Sequence, residues 1–309
     1  MMVSFLRIEL WFKSTYLFYF IILILLFVVD FYGVTSSGSK RWINLFFINL
    51  QPSELMKISI IICFARYFHR TQISSVNSFK NIIISITILI MPVLLVVSQP
   101  DLGTAILIGM SGIIVFWLAG LNIRYFVYSS LMLIVSLPFV ISILKPYQKS
   151  RILTFFNPDR DPLGAGYQII QSKIAVGSGG LTGKGFLKGT QSYLEFLPEK
   201  HTDFIFTLFS EEHGFTGSVV ILLIYAIMVF RILKIGTGAR SFFAKLFCYS
   251  FAAAIFIYIS VNMCMVLGLL PIVGSPLPIM SYGGSSMLAT MIGFSVVMSA
   301  KIYQRQSIT

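Results

Sequence analysis

The stretch EFLPEKHTDFIF, Glu195 to Phe206, sets three carboxylates and a histidine against the start of a strongly apolar run, in a chain with only 11 acidic residues. A carboxylate at such a boundary suits proton transfer, because partial desolvation strengthens a base. Glu199, His201 and Asp203 also carry metal-ligand chemistry, and Asp is a good capping residue at a helix mouth. For the HTDF motif, His201 to Phe204, the residue pattern leaves proton transfer, metal binding and capping open.

Four further stretches carry chemistry or its structural counterpart. QPSELMK, Gln51 to Lys57, reads as a helix start: Pro52 suits the first turn, and Ser53 and Glu54 favour an N-terminus. Glu54 and Lys57 stand at i and i+3 and can pair on one face. An ionisable pair at membrane depth is expensive and points to function. SQPDLGT, Ser98 to Thr104, reads as a tight turn in which Pro100, Asp101 and Gly103 serve the backbone, with Asp101 a turn and cap residue. GSGGLTGKGFLKG, Gly177 to Gly189, fails the Walker pattern, since Ser178 stands five before Gly183 and Lys184 precedes Gly185, which argues against nucleotide binding. Its glycines let backbone N–H groups approach an anion, with Lys173, Lys184 and Lys188 adding charge; a turn-rich loop is the alternative. PIVGSPLPIMSYGGSS, Pro271 to Ser286, places three prolines and three glycines at membrane depth. Broken backbone is tolerated there only where protein buries it or it lines a wet cavity, so it predicts a cavity opening outward, with a plain helix–loop–helix link as the alternative.

The elements that position these residues follow from composition. The 309 residues are 57% hydrophobic and 11% charged, with a mean hydropathy of +0.88, which excludes a soluble domain of this size. The chain reads as an all-α polytopic membrane protein with eight spans: 15–34, 52–67, 81–98, 103–120, 126–144, 204–233, 246–270 and 277–300. The first apolar run is too long for a signal-peptide core and lacks a small-residue cleavage site, so it reads as a spanning helix. Cys63, Cys248 and Cys264 share no loop and no ligand spacing, and read as packing residues. No repeat or linker divides the chain, which is expected to form one domain over 1–309 with a long extracytoplasmic connection, 145–203. Recurring apolar residues argue that this connection is built, and QIIQSKIAV predicts a short amphipathic helix within it.

The charge of +12 is unevenly distributed. Taking loops alternately, one side holds Arg7, Lys13, Arg66, Arg70, Lys80, Arg124, Arg231, Lys234, Arg240, Lys245, Lys301 and Arg305 against the single acid Glu9, while Asp30, Asp101, Asp159, Asp161, Glu195, Glu199 and Asp203 lie opposite. The positive-inside rule predicts cytoplasmic termini and outward acidic loops, and the basic balance needs no nucleic acid to explain it.

In order along the chain, KRWINL, QPSELMK, QPDLGTA, NPDRDPLGAGYQIIQSKIAVGSGGLTGKG, GTQSYLEFLPEKHTDFIF, EEHGFTG and PLPIMSYGGSS resemble the motifs of the SEDS family of membrane glycosyltransferases, over about residues 30–300. GTQS followed by EFLPE is more similar to its rod-shape branch than to its division branch. The resemblance implies a peptidoglycan glycosyltransferase that polymerises lipid II, the undecaprenyl-pyrophosphate-linked disaccharide pentapeptide, on the outer face of the bacterial plasma membrane during elongation and shape maintenance. It assigns Asp203 as the catalytic carboxylate and sets Glu54, Lys57, Arg41, Lys184 and His201 in the substrate cavity, with Gln51, Pro52, Asp101, Gly103, Glu199, Ser281 and Gly283 as motif positions. The donor's α-linked pyrophosphate and the β product require one inverting displacement, for which Asp203 would take the proton of the acceptor 4-hydroxyl. Cations or a divalent metal, Mg or Mn, with Asp203 a candidate ligand, would meet the developing charge; no nucleotide is implied. A class B penicillin-binding transpeptidase and other elongation proteins are the implied partners. The family ordinarily has ten spanning helices, and this chain begins within the second of them. A lipid II flippase and a catalytically reduced scaffold are the alternatives.

Overall fold

The computed structural model describes residues 5–36, 39–44, 49–71, 75–143, 146–161, 164–189 and 201–306. Within them the chain forms ten α-helices. These are α1 (Ile8–Tyr32), α2 (Pro52–Arg70), α3 (Phe79–Ser98), α4 (Leu102–Leu118), α5 (Ile123–Ile143), α6 (Pro146–Phe156), α7 (Ala165–Ser178), α8 (Ile205–Gly238), α9 (Phe242–Val266) and α10 (Gly284–Ile302). Each of the eight expected spans falls on a helix. Helices α1, α3, α8, α9 and α10 are long and apolar enough to cross a membrane. The apolar stretches of α4 and α5 are shorter, and α2 falls outside that class by composition, because it carries Glu54, Lys57, Arg66 and Arg70.

Two boundaries differ from expectation by seven residues. Helix α1 begins at Ile8, seven residues before Thr15. Helix α10 begins at Gly284, so residues 277–283 are not helical: Pro276 and Pro278 cannot donate to a helix ladder, and Ile279 sits at φ 70°. A three-stranded antiparallel sheet, β1 (Val34–Ser36), β2 (Ser39–Asn44) and β3 (Asn49–Leu50), was not expected from the sequence. Its register pairs Val34 with Trp42, Thr35 with Lys40, and Ile43 with Leu50, and β3 delivers the chain directly into Gln51 and α2.

The backbone groups into two compact units. The first comprises Met1–Leu121, Ile227–Ile257 and Gly283–Thr309; the second comprises Asn122–Ala226 and Tyr258–Tyr282. In the first, α2 is the central element: every residue from Pro52 to Ala65 is buried. Phe64 stacks edge-on against Phe116 of α4 at 4.8 Å and tilts towards Phe68 at 6.1 Å. Small residues set the helix spacing, as in other membrane bundles. A side chain at Gly112 would collide with Leu89 of α3, and one at Gly293 would collide with Phe251 of α9. At one end of α2, Phe12, His69 and Phe243 form a ring cluster, and the guanidinium of Arg66 lies 4.2 Å over Tyr16 and 4.9 Å over Phe12.

In the second unit the described part of the long connection is largely helical. Helix α6, a 3₁₀ turn at Pro158–Arg160 and α7 occupy it, and α7 contains the whole of QIIQSKIAV.

Truncation of Phe64 to alanine should lower the unfolding free energy of the detergent-solubilised protein by about 3 kcal/mol, through the cavity left against Phe68 and Phe116. Reversible unfolding in mixed micelles measures it.

Candidate functional site

In the second unit the HTDF motif forms a turn leading into α8. Phe204 is buried and anchors the turn, and its carbonyl accepts the first amide bonds of the helix, from Thr207 and Leu208. One turn further on, Thr207 meets Ser172 of α7 at 2.9 Å, and the Ser172 hydroxyl donates to the carbonyl of Val266 at the end of α9. The buried Ser172 hydroxyl therefore ties the helix start to the end of α9.

The turn itself is held by the broken segment after α9. Tyr282 N–H donates to the carbonyl of His201 at 2.9 Å. Ser281 Oγ donates to the carbonyl of Thr202 at 2.6 Å, and accepts from the Leu277 amide at 2.7 Å. Asn262 Nδ2 donates to the carbonyl of Asp203 at 2.9 Å and to that of Ser275 at 2.7 Å. Three successive carbonyls, of residues 201, 202 and 203, are thus each bound from the 262–282 region. Tyr225 of α8 closes the arrangement by donating to the carbonyl of Pro278 at 2.7 Å. The carboxylate of Asp203 lies beside Gly274, where an added Cβ would stand 3.6 Å from Oδ2; at φ 71° the position also favours glycine. Two basic side chains rest on the same segment, Arg151 donating to the Ile272 carbonyl at 3.4 Å and Lys173 crossing over Gly268. His201 is exposed and Asp203 is half-buried. Glu195 and Glu199 lie outside the described residues.

The glycine run does something other than cradle an anion. In an unbroken helix the amides of Phe215 and Thr216 would bond to carbonyls four residues back, at Glu211 and Glu212. Gly214, at φ 66° and ψ −162°, takes the chain out of helical geometry inside α8. The Phe215 and Thr216 amides donate to the carbonyls of Gly180 and Leu181, at 2.9 and 3.1 Å, and the carbonyls of Glu211 and Glu212 accept from Lys184 and Gly185, at 3.0 and 3.0 Å. The glycine run splices itself into the kinked helix and satisfies both sides of the break. A side chain at Gly183 or Gly214 would strike the opposite backbone. The amides of Gly180, Gly183, Lys184 and Gly185 are all spent on main-chain carbonyls. Lys184 pairs with Glu211 at 2.7 Å, and Glu211 is fully buried, so Lys184 is its counter-ion.

The remaining expected residues gather in the first unit. Glu54 and Lys57 form the anticipated ion pair at 2.8 Å, both buried. Asp101 caps α4: its Oδ1 accepts from the Thr104 amide at 3.2 Å and its Oδ2 from the Thr104 hydroxyl at 2.9 Å. Gly103 lies buried in that first turn. Gln51 Nε2 reaches both Asp101 Oδ2, at 3.3 Å, and Ser53 Oγ, at 3.1 Å. Arg41 lies 3.7 Å from Asp101 and donates to the Pro100 carbonyl at 2.5 Å. The Gln51 amide donates to Ser285 Oγ at 2.9 Å, and Pro52 opens α2. Gly283 precedes α10 in extended backbone. Arg41, Gln51 and Asp101 are therefore one cluster, whereas Asp203, His201 and Ser281 belong to the second unit.

Residue patterning did not single out Asn262, Tyr225 or Glu211. Asn262 and Tyr225 carried a signal, a polar group inside an apolar stretch, where an unsatisfied group is costly, whereas Glu211 sits in the polar run Ser210 to His213 and did not stand out. Among the described residues no group of three or more His, Cys, Asp or Glu side chains is placed to hold a metal ion. The donors at the HTDF turn, one carboxylate and one exposed imidazole, do not make a metal site by themselves.

These features can be set beside known proteins. The family model described as cell cycle protein, covering FtsW, RodA and SpoVE, matches residues 1–306. The chain is 44% identical over 288 residues to the peptidoglycan glycosyltransferase MrdB of Escherichia coli K12, covering 93% of this chain and 77% of that one. It is 35% identical over 296 residues to the stage V sporulation protein E of Bacillus subtilis, covering 96% and 80%. Among solved structures, a chain of a peptidoglycan synthase complex that coordinates polymerization and crosslinking superposes with a TM-score of 0.84 at 30% identity, covering 99% of this chain and 85% of that one. The rod shape determining protein RodA of Thermus thermophilus shares the fold, with a TM-score of 0.72 at 24% identity and coverage of 99% and 83%. This chain belongs to the FtsW/RodA/SpoVE family of cell cycle proteins, as the motifs implied.

Lys184→Met removes the 2.7 Å ion pair to the buried Glu211 carboxylate and should cost about 3 kcal/mol of stability. Adding Glu211→Gln should restore most of the loss, a coupling that a double-mutant cycle on the purified protein reads directly.

Proposed function

We propose that this chain is a peptidoglycan glycosyltransferase of the elongation type, which polymerises lipid II with Asp203 as general base. The observation that carries the reading is the way the HTDF turn is fixed: three successive carbonyls are bound while the carboxylate of Asp203 lies beside Gly274. A base held in one place at the start of a membrane helix suits an acceptor hydroxyl presented by a lipid-anchored sugar, since positioning converts encounter into reaction. In this reading the Asp203 carboxylate accepts the proton of the acceptor 4-hydroxyl as that oxygen attacks the donor's anomeric carbon. The pyrophosphate departs from the opposite side, with inversion. Arg151 and Lys173, both resting on the segment that flanks Asp203, would meet the charge that develops on the leaving group. No step is drawn through a metal or a nucleotide.

The proposed setting is the bacterial plasma membrane, with the chain acting as a single transmembrane domain. The basic loops are assigned to the cytoplasm together with both termini, and the HTDF turn to the outer face. The order along the chain supports this arrangement: α8 follows HTDF directly and carries the basic residues Arg231 and Lys234 towards its end. A class B penicillin-binding transpeptidase that crosslinks the new strands is the proposed partner, alongside other elongation proteins, by analogy with the peptidoglycan synthase complex.

Purified protein supplied with labelled lipid II should yield glycan polymer. Asp203→Asn, which keeps the side-chain shape and the main-chain bond from Asn262, should reduce the rate at least about 100-fold while the protein remains folded. Polymer formed by the folded variant at the original rate would sink the assignment.

A further inference from the structure

Among the groups around the HTDF turn, one buried side chain takes no part in the proposed chemistry yet touches both walls of the site. Asn262 lies near the end of α9, in the apolar run FAAAIFIYISVNMCMV, and is completely buried. A primary amide inside such a helix is costly unless its donors are used. Both donors of Nδ2 are used, and neither bond is local: one goes to the carbonyl of Asp203, 59 residues away, and one to that of Ser275, 13 residues away. Its Oδ1 has no hydrogen-bond partner among the described residues. The residue therefore keeps an unsatisfied acceptor for the sake of two donors on one atom at short reach. Serine has one such donor, ionised aspartate has none, and glutamine would overreach by a methylene.

We infer that Asn262 is a positioning residue for the reaction, setting the Asp203 carboxylate and the wall it lies against with a single amide group. The first bond fixes the main chain of Asp203. The second fixes Ser275, the neighbour of Gly274, where an added Cβ would stand 3.6 Å from Asp203 Oδ2. Because one nitrogen holds both, displacement of one wall is transmitted to the other, and the separation between the base and its surroundings is set to within the tolerance of two hydrogen bonds. Ser281 performs the matching task one residue earlier, at Thr202, but reaches only the turn and its own segment. The HTDF sequence thus supplies the base, and α9 supplies the coordinate at which it works.

The inference rests on the assignment of Asp203 as base, and the test separates the two. The first arm is kinetic, on the full chain with lipid II. Asn262→Asp replaces two donors by acceptors facing two carbonyls, and should lower kcat about 10- to 100-fold with KM changed less than threefold. Asn262→Ser, keeping one donor, should fall between that variant and the parent. In an Asp203→Asn background neither substitution should reduce the residual rate further. If Asn262→Asp is lost from the membrane fraction, Asn262→Ser carries the arm on the same criteria. The second arm needs no activity: in a chain lacking Cys63, Cys248 and Cys264, Asp203→Cys is labelled with a membrane-impermeant maleimide. Adding Asn262→Ser should change the labelling rate at least threefold. An unchanged labelling rate, or a folded Asn262 variant with kcat within twofold of the parent, overturns the positioning role. Full activity of Asp203→Asn with altered labelling would instead refute the base and leave Asn262 as a tether of the turn.

Discussion

The constraint on which this molecule depends is that hydrocarbon offers no hydrogen bonds. A helix meets that condition within itself, so each departure from helix at membrane depth has to find partners elsewhere in the protein. The chain departs from helix where its motifs lie: at HTDF, at residues 267–283, along the glycine run and at Gly214. These departures satisfy one another in pairs. The carbonyls of residues 201, 202 and 203 are bound by donors from the 262–282 region, and the Gly214 break is closed by the glycine run, which gives two backbone bonds on one side and takes two on the other. Removing one member of a pair strands the other, which is why the motifs work as a set although they are far apart in the chain.

The same reasoning governs charge. Glu54 with Lys57, Glu211 with Lys184, and Asp101 with Arg41 and Gln51 are acids whose neighbours neutralise or donate to them. A buried pair adds little net stability compared with a well-packed apolar pair, but breaking one is expensive. Asp203, the proposed base, is half-buried, its main chain is secured by Asn262, and its carboxylate lies beside Gly274.

Much of the fold was legible. A mean hydropathy of +0.88 and the spacing of apolar runs led directly to a helical membrane protein, and all eight expected spans fall on helices. Local rules held where the partners are neighbours: Glu54 and Lys57 pair at i, i+3, and Asp101 caps the helix it precedes. Reading stopped short where the partner is distant. The glycine run left an anion cradle and a turn-rich loop both open; the carbonyls that claim the Lys184 and Gly185 amides lie 27 residues on, beside the break that Gly214 makes just after Glu211, Glu212 and His213. The sheet at Val34 to Leu50 was missed because its strands are two to six residues long.

By itself, then, the sequence determined the solvent in which this protein lives, the order of its apolar helices, its local caps and ion pairs, and the motifs that mark its family. Each of these depends on residues close in the chain or on summed composition. Only the tertiary structure decided that Asn262 holds Asp203, that Ser281 holds Thr202, and that the glycine run completes α8. Those contacts join residues tens of positions apart, and they exist because an unpaired backbone group inside the protein accepts any correctly placed donor, whatever its place in the chain.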